Sequence, residues 1–175
     1  MDEANRFAPP GAHVADVAAG DVGFQPVRLW PPSGRMGRLR MLAYGAGLYL
    51  AFLLVSTLLA LVAGRSSTAA VVVGVVTFVA YLVGATIILI QRSHDMNLSG
   101  WWSIAAMIPL VGLIWLFKGG TPGANRWGPP PPPNGLVVRI IGWLVPIFFV
   151  VGLVAAIALP AYVDYTKRAQ GSVTR

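Results

Sequence analysis

The sequence predicts an all-α integral membrane protein, a small bundle of four hydrophobic helices. Hydrophobic residues make up 56% of the 175 residues and charged residues only 11%, with a mean hydropathy of +0.69, whereas soluble domains have roughly 45–50% and about 25%. Four runs carry no charge, and the Lys and Arg residues gather at their ends. These runs are residues 41–63, 68–90, 99–117 and 140–163.

The first 30 residues predict a flexible polar leader. Asp2 and Glu3 come at once and no apolar core follows, which excludes a cleaved signal peptide. Scattered Pro and Gly favour disorder up to about residue 24. We therefore expect the first membrane helix to act as its own targeting signal.

The run 41–63 predicts the first spanning helix, since 23 residues rise about 34 Å and the hydrocarbon core is about 30 Å thick. Arg35, Arg38 and Arg40 precede it, so the positive-inside bias predicts a cytoplasmic amino end. The valine-rich run 68–90 predicts a second helix, because a strand edge in lipid would leave backbone groups unpaired.

Small residues at four-residue spacing predict where helices pack closely. Ala43, Gly47 and Ala51 form such a stripe on the first helix, and Gly74 and Gly84 continue the pattern on the second. Small side chains let helix backbones approach in lipid. The alternative is that Ala and Gly are simply common in membrane helices.

The corner at residues 91–102 connects the second and third runs. Asn97 and Ser99 are expected to cap a third helix, and Gly100 to permit its tight entry. Trp101 and Trp102 are expected to anchor it at headgroup depth.

The third run has 19 residues, about 28 Å, and only just spans. Pro109 and Gly112 lie in its middle and predict a kink. Either the run crosses, or it dips in and returns; nine of the 13 basic residues lie inside in both arrangements, so charge does not decide. We expect four spanning helices with both ends cytoplasmic, because a returning backbone at membrane depth needs shielding by protein.

Residues 31–133 are thus predicted to form a three-helix membrane domain, and residues 134–175 a C-terminal helix with a short tail. The stretch 129–133 is five prolines, which predicts a polyproline II rod of about 15 Å. It is either a spacer or a docking strip for an aromatic groove. Trp127, just before it, is a third predicted interface anchor.

Three motifs together resemble a bacterial family known as domain of unknown function 805. They are GRMGRLR at 34–40, R-x-H-D-x-x-x-S-G-W-W at 92–102, and G-T-P-G-x-N-R-W-G-P at 120–129. The resemblance covers about residues 24–133. It implies a small bacterial inner-membrane protein and no particular reaction.

The last helix resembles the amino-terminal helix of type IV pilins over residues 152–170, with PAY at 160–162 and DYT at 164–166. The prepilin cleavage site with its following membrane-embedded Glu is missing, since residues 139–149 read RIIGWLVPIFF. Processing and fibre assembly therefore do not follow from this resemblance.

The candidate site for an anionic headgroup or a partner's carboxylate comprises Arg92, His94, Asp95, Asn125 and Arg126. The alternative is local: Arg92 marks the cytoplasmic end of a helix, while His94 and Asp95 bond backbone groups of the turn.

We predict no enzyme, no cofactor and no metal site. Ser93 or Ser99 could be a nucleophile, but no oxyanion hole or second carboxylate accompanies them. Only His13 and His94 could serve as imidazole ligands, and cysteine is absent. The net charge of +7 is spread along the chain without a basic face that interleaves aromatics, so nucleic acid is not an expected partner.

Two function classes remain. The first is a multi-pass inner-membrane protein that binds lipids, or envelope or pilus assembly proteins. The second is a small transporter or channel. The four runs contain no Asp, Glu, Lys, Arg or His, which argues against ion and proton transport and leaves an uncharged solute. The oligomeric state is left open.

Overall fold

The computed structural model describes residues 23–63 and 68–173, with side chains described for 23–62 and 68–170. Within these ranges the chain is helical apart from loops and one isolated bridge between Asn125 and Gly128. Two short 3-10 turns separate the second and third helices. The four α-helices are α1 (Arg38–Ala63), α2 (Thr68–Asp95), α3 (Pro109–Phe117) and α4 (Leu136–Val173).

Three helices of the described ranges, α1, α2 and α4, are long and apolar enough to cross a membrane. With 26, 28 and 38 residues, they rise about 39, 42 and 57 Å. The membrane class and the helical fold are therefore confirmed. Helix α1 is central, because it packs against both α2 and α4.

The α1–α2 contact is filled by aromatic rings near mid-helix. The Phe52 and Tyr81 ring centroids are 5.0 Å apart, and Phe78 and Tyr49 extend the cluster. Such pairs stabilise by about 0.5–1.5 kcal/mol beyond the area they bury. They hold the two helices together where small residues do not.

The closest helix approaches use only part of the small-residue stripes. Ala43 is buried, and a Cβ on Gly84 would lie 2.9 Å from a methyl group of Leu48. A Cβ on Gly47 or Gly74 would meet nothing within 4 Å. The small-residue pattern did not include Gly142, where a Cβ would lie 2.7 Å from the Leu39 carbonyl oxygen.

The prediction of a continuous third spanning helix is wrong. Residues 100–103 and 105–107 form 3-10 turns, and α3 has only nine residues, about 13.5 Å. The predicted side-chain cap by Ser99 does not form, and Asn97 adopts a positive φ of 59°.

The physical reason lies in backbone hydrogen bonding. The amides of Trp102, Ile104 and Met107 each donate to a carbonyl three residues earlier, so the backbone satisfies its own polar groups without a full α-helix. Gly112 then lets α3 fold back, since a Cβ there would lie 2.5 Å from the Ala106 carbonyl oxygen.

The third run therefore leaves and returns at one end of the bundle. The backbone carbonyl of Lys118, just after α3, accepts a hydrogen bond from Arg92 on the last turn of α2, and the Thr121 amide donates to the Asp95 carbonyl at 2.8 Å. Helix α4 starts at this same end and packs beside the start of α1 through Gly142 and Leu39. Helices α1 and α4 therefore run in the same direction, and the carboxyl end of α4 lies at the other end of the bundle from the amino end of α1. The sequence had led us to expect both ends on one side.

Candidate functional site

The three sequence motifs meet at this end of the bundle, which we call the motif face: residues 23–40, 91–103 and 115–139. Its interior is polar. Arg35, Gln91, Arg92 and Ser93 are each at most 2% exposed. Charged side chains are rarely so buried unless they are paired.

Arg35 is the hub of this interior. Its Nε and Nη2 donate to Asp95 Oδ1 at 3.2 and 3.1 Å. Its Nη2 also donates to the Thr121 carbonyl at 2.7 Å, and Nη1 donates to the carbonyls of Gly123 and Gly128. One guanidinium therefore joins all three motifs.

Arg92 is the second internal cation. Its Nη1 donates to Asp95 Oδ2 at 2.7 Å and its Nε to the Trp115 carbonyl at 2.9 Å, while Nη2 donates to the Lys118 carbonyl. All three nitrogens thus have acceptors within the protein. This geometry secures the return of α3 to the end of α2.

Asp95 bridges the two arginines, with one carboxylate oxygen on each. A buried pair gains little over an apolar core, but removing one partner costs about 3–5 kcal/mol because a charge is left uncompensated. Gly120 makes room for the carboxylate, since a Cβ there would lie 2.0 Å from Asp95 Oδ2.

Neutral hydrogen bonds complete the cluster. The Trp115 indole donates to Ser93 Oγ at 2.9 Å. Asn125 Nδ2 donates to the His94 carbonyl and to Thr121 Oγ1, and Asn125 Oδ1 accepts from the Trp127 amide. The predicted site residue Asn125 therefore ties the third motif to the second.

His94 and Trp127 stack face to face, with ring centroids 3.6 Å apart and planes 12° apart. His94 Nδ1 lies 3.2 Å from the Gly34 carbonyl oxygen, so Nδ1 carries the proton and, in the neutral ring, Nε2 carries the lone pair. Arg126 packs over the Trp127 ring, with its Cζ 5.4 Å from the ring centroid. Its Nη2 donates to the Asn97 carbonyl.

A groove of about 420 Å³ opens beside this stack, between α2 and the 3-10 turns. Its lining runs from polar to apolar along α2, through His94, Ile90 and Thr86. Across from them stand Trp101 and Ile104, 81% and 60% exposed. A Cβ on Gly100 would lie 3.2 Å from His94 Nε2, so glycine keeps this edge of the imidazole uncovered by a side chain.

The motif face is strongly cationic. Asp95 and Asp164 are the acidic residues of the described ranges, and Asp164 lies near the far end of α4. Asp95 is already shared by two arginines. Five exposed cations surround the cluster: Arg28, Arg38, Lys118, Arg126 and Arg139.

A comparison with protein families bears on this arrangement, because a family model described as "Protein of unknown function (DUF805)" matches residues 29–129. That range holds all three motifs and both arginines that pair with Asp95. The chain belongs to the DUF805 family. The resemblance predicted from the motifs is thereby confirmed.

Among curated relatives, the inner membrane protein YhaH of Escherichia coli (strain K12) is 40% identical over 45 residues, which cover 23% of this chain and 37% of the relative. YhaH of Escherichia coli O157:H7 matches equally. The match thus spans about a third of these relatives' length. No solved structure gives a significant match.

In this DUF805 protein, the predicted site residues divide into two groups. Arg92, Asp95 and Asn125 lie inside the cluster, whereas Arg126 is exposed at the rim and His94 lines the groove. Trp101 and Trp102 are exposed, while Trp127 packs on His94. Within the described part of the chain, no group of three potential metal ligands forms.

The sequence interpretation missed several residues of the cluster. Arg35 was assigned only a role in membrane orientation, and Gln91, Thr121 and Trp115 were assigned none. Gln91 Nε2 donates to the Arg28 carbonyl at 2.6 Å and so holds the leader's end. The signal for Arg35 was available: one acidic residue lay within the three motifs, together with arginines that needed a counter-charge.

Proposed function

We propose that this protein acts in the bacterial inner membrane by binding anionic phospholipids at the motif face. The observation that carries this proposal is the charge of that face: five exposed cations surround a cluster whose only acid in the described ranges is neutralised internally. Each Lys or Arg near an anionic membrane surface contributes about 1 kcal/mol.

We further propose that the motif face is cytoplasmic. Eight basic residues of the described ranges belong to that end of the bundle, and two, Lys167 and Arg168, to the other. The positive-inside bias favours the eight on the cytoplasmic side. The exposed cations would then face the headgroups of the inner leaflet.

The geometry changes which residues we expect to bind anionic lipid. The donors of Arg92 go to Asp95 and to two carbonyls, so its substitution tests folding more than lipid contact. Arg38, Lys118 and Arg126 are exposed on the motif face. Arg38 and Arg126 each donate from one terminal nitrogen to a carbonyl, and the exposed charge of all three side chains supports pairing with phosphate oxygens.

Native mass spectrometry of protein released from mixed-lipid nanodiscs tests the proposal. The triple variant Arg38→Gln, Lys118→Gln, Arg126→Gln should retain far less anionic lipid, with about a fivefold loss for each cation removed. The control is Lys167→Gln, Arg168→Gln at the other end of the bundle. Equal lipid retention by both variants and the wild type would refute the proposal and favour a protein partner.

A further inference from the structure

The groove beside His94 has an amphipathic lining. Thr86, Ile90 and His94 follow one another at four-residue spacing on one face of α2, so the lining extends about 12 Å along the helix. Its polar end is at the motif face and its apolar end points along α2 toward the middle of the membrane-crossing helix. A ligand that fits has a polar head and an apolar tail.

The polar end offers defined chemistry. His94 Nε2 is the acceptor nitrogen when Nδ1 donates to Gly34. Arg126, packed on Trp127, uses Nη2 for the Asn97 carbonyl and adds positive charge at the rim.

This set of groups selects among headgroups. A phosphate diester suits Arg126, because its guanidinium requires an acceptor. The imidazole acceptor requires a donor, and an uncharged hydroxyl fits better than an ammonium, which the exposed cations of the motif face would repel. The head is therefore anionic at its phosphate and carries a free hydroxyl.

We propose that the groove holds one phosphatidylglycerol molecule, with its phosphate at Arg126, a glycerol hydroxyl donating to His94 Nε2, and an acyl chain between Ile90 and Ile104. This inference rests on the proposed binding of anionic lipids and names the lipid and its seat. Trp101, 81% exposed at the groove wall, would cover the glycerol backbone at headgroup depth.

The test uses full-length protein in phosphatidylethanolamine nanodiscs that also contain equal amounts of phosphatidylglycerol and phosphatidylserine, two anionic lipids that differ in the head. Native mass spectrometry should show phosphatidylglycerol retained about fivefold more than phosphatidylserine, as one added hydrogen bond predicts. His94→Phe keeps a flat ring against Trp127 and removes the acceptor. It should abolish this preference while total anionic lipid stays unchanged.

A second variant guards against misfolding of His94→Phe. Thr86→Trp fills the apolar end of the groove from an exposed position, and Val79→Trp places the same bulk on α2 outside the groove. Thr86→Trp should lose the phosphatidylglycerol preference and Val79→Trp should keep it.

The outcomes separate this inference from the proposed function. Anionic lipid retained without preference between the two heads, or a preference that survives Thr86→Trp, would overturn the groove assignment alone. No enrichment of either anionic lipid over phosphatidylethanolamine would overturn the proposed function as well.

Discussion

The two ends of this bundle are built differently. At the motif face, Arg35, Arg92 and Asp95 are buried and joined by direct hydrogen bonds, and Gly120 is required for space. Toward the other end, α1 and α2 carry exposed apolar side chains such as Leu61, Val62 and Val71. A membrane covers such side chains without help from specific residues.

The comparison indicates where the sequence specifies the fold. Substitutions at the motif face remove a charged partner or crowd a buried group, and water cannot compensate there because buried polar groups depend on their partners. Substitutions on the lipid-facing helices exchange one apolar surface for another. Mutations should therefore separate the two ends sharply, and the following variants test that separation in order of expected effect.

The largest loss is expected for Asp95→Asn. The change keeps the shape and removes the charge that Arg35 and Arg92 share, so two guanidinium groups remain buried without a counter-ion. We expect a loss of about 3–5 kcal/mol, measured by unfolding in mild detergent. Asp164→Asn, exposed on α4, is the control and should stay within about 0.5 kcal/mol of wild type.

Next comes Gly120→Ala. Its Cβ would lie 2.0 Å from Asp95 Oδ2, whereas a Cβ on the neighbouring Gly119 would meet nothing within 4 Å. Overpacking of this kind costs about 1–3 kcal/mol, so Gly120→Ala should unfold at lower temperature and Gly119→Ala should not. Equal melting temperatures for the two would show that the carboxylate has another position open to it.

A similar pair probes the seat of α4. Gly142→Ala brings a methyl group within 2.7 Å of the Leu39 carbonyl oxygen, while Gly152 has open space. We expect Gly142→Ala to lose about 1–2 kcal/mol and Gly152→Ala to lose almost nothing, in the same detergent assay. If both are neutral, α4 does not depend on this approach to α1.

A smaller loss is expected for Trp115→Phe. It deletes the indole N–H that donates to Ser93 Oγ at 2.9 Å, a hydrogen bond worth about 1 kcal/mol. Trp101→Phe at an exposed position is the matched control. The melting temperatures of the two variants should differ by a few degrees. Identical melting temperatures would show that this hydrogen bond does not stabilise the fold.

The smallest effect is expected for Gly47→Leu. The sequence pattern predicts that this change forces helices apart, but a Cβ there meets nothing within 4 Å. We expect a change of less than about 0.5 kcal/mol. A marked drop in melting temperature would mean that another helix packs on this face.

Much of the fold was predictable because hydrophobic run length is read directly from sequence. The runs 41–63 and 68–90 correspond to α1 and α2 within a few residues, and 140–163 lies inside α4. The prediction for the third run was wrong because apolar length does not distinguish an α-helix from 3-10 turns. In these turns the backbone amides donate to carbonyls three residues earlier.

Only some residues of the cluster were predicted from the sequence, and their geometry was not. Arg92, His94, Asp95 and Asn125 were chosen from their positions in two motifs, and they do meet. Arg35 and Asp95 are 60 residues apart, and nothing in local spacing pairs them. The pairing depends on α1 and α2 being antiparallel and on the third run returning to the end of α2.

That return is the central claim, and cysteine accessibility tests it most directly. The chain has no cysteine, so single cysteines at the exposed residues Phe24, Ala124 and Lys167 are unambiguous probes. A membrane-impermeant thiol reagent on intact cells should leave Phe24→Cys and Ala124→Cys unlabelled until lysis, and should label Lys167→Cys at once. Labelling of Ala124→Cys alone, with Phe24→Cys and Lys167→Cys both protected, would contradict the returning third run and restore four spanning helices.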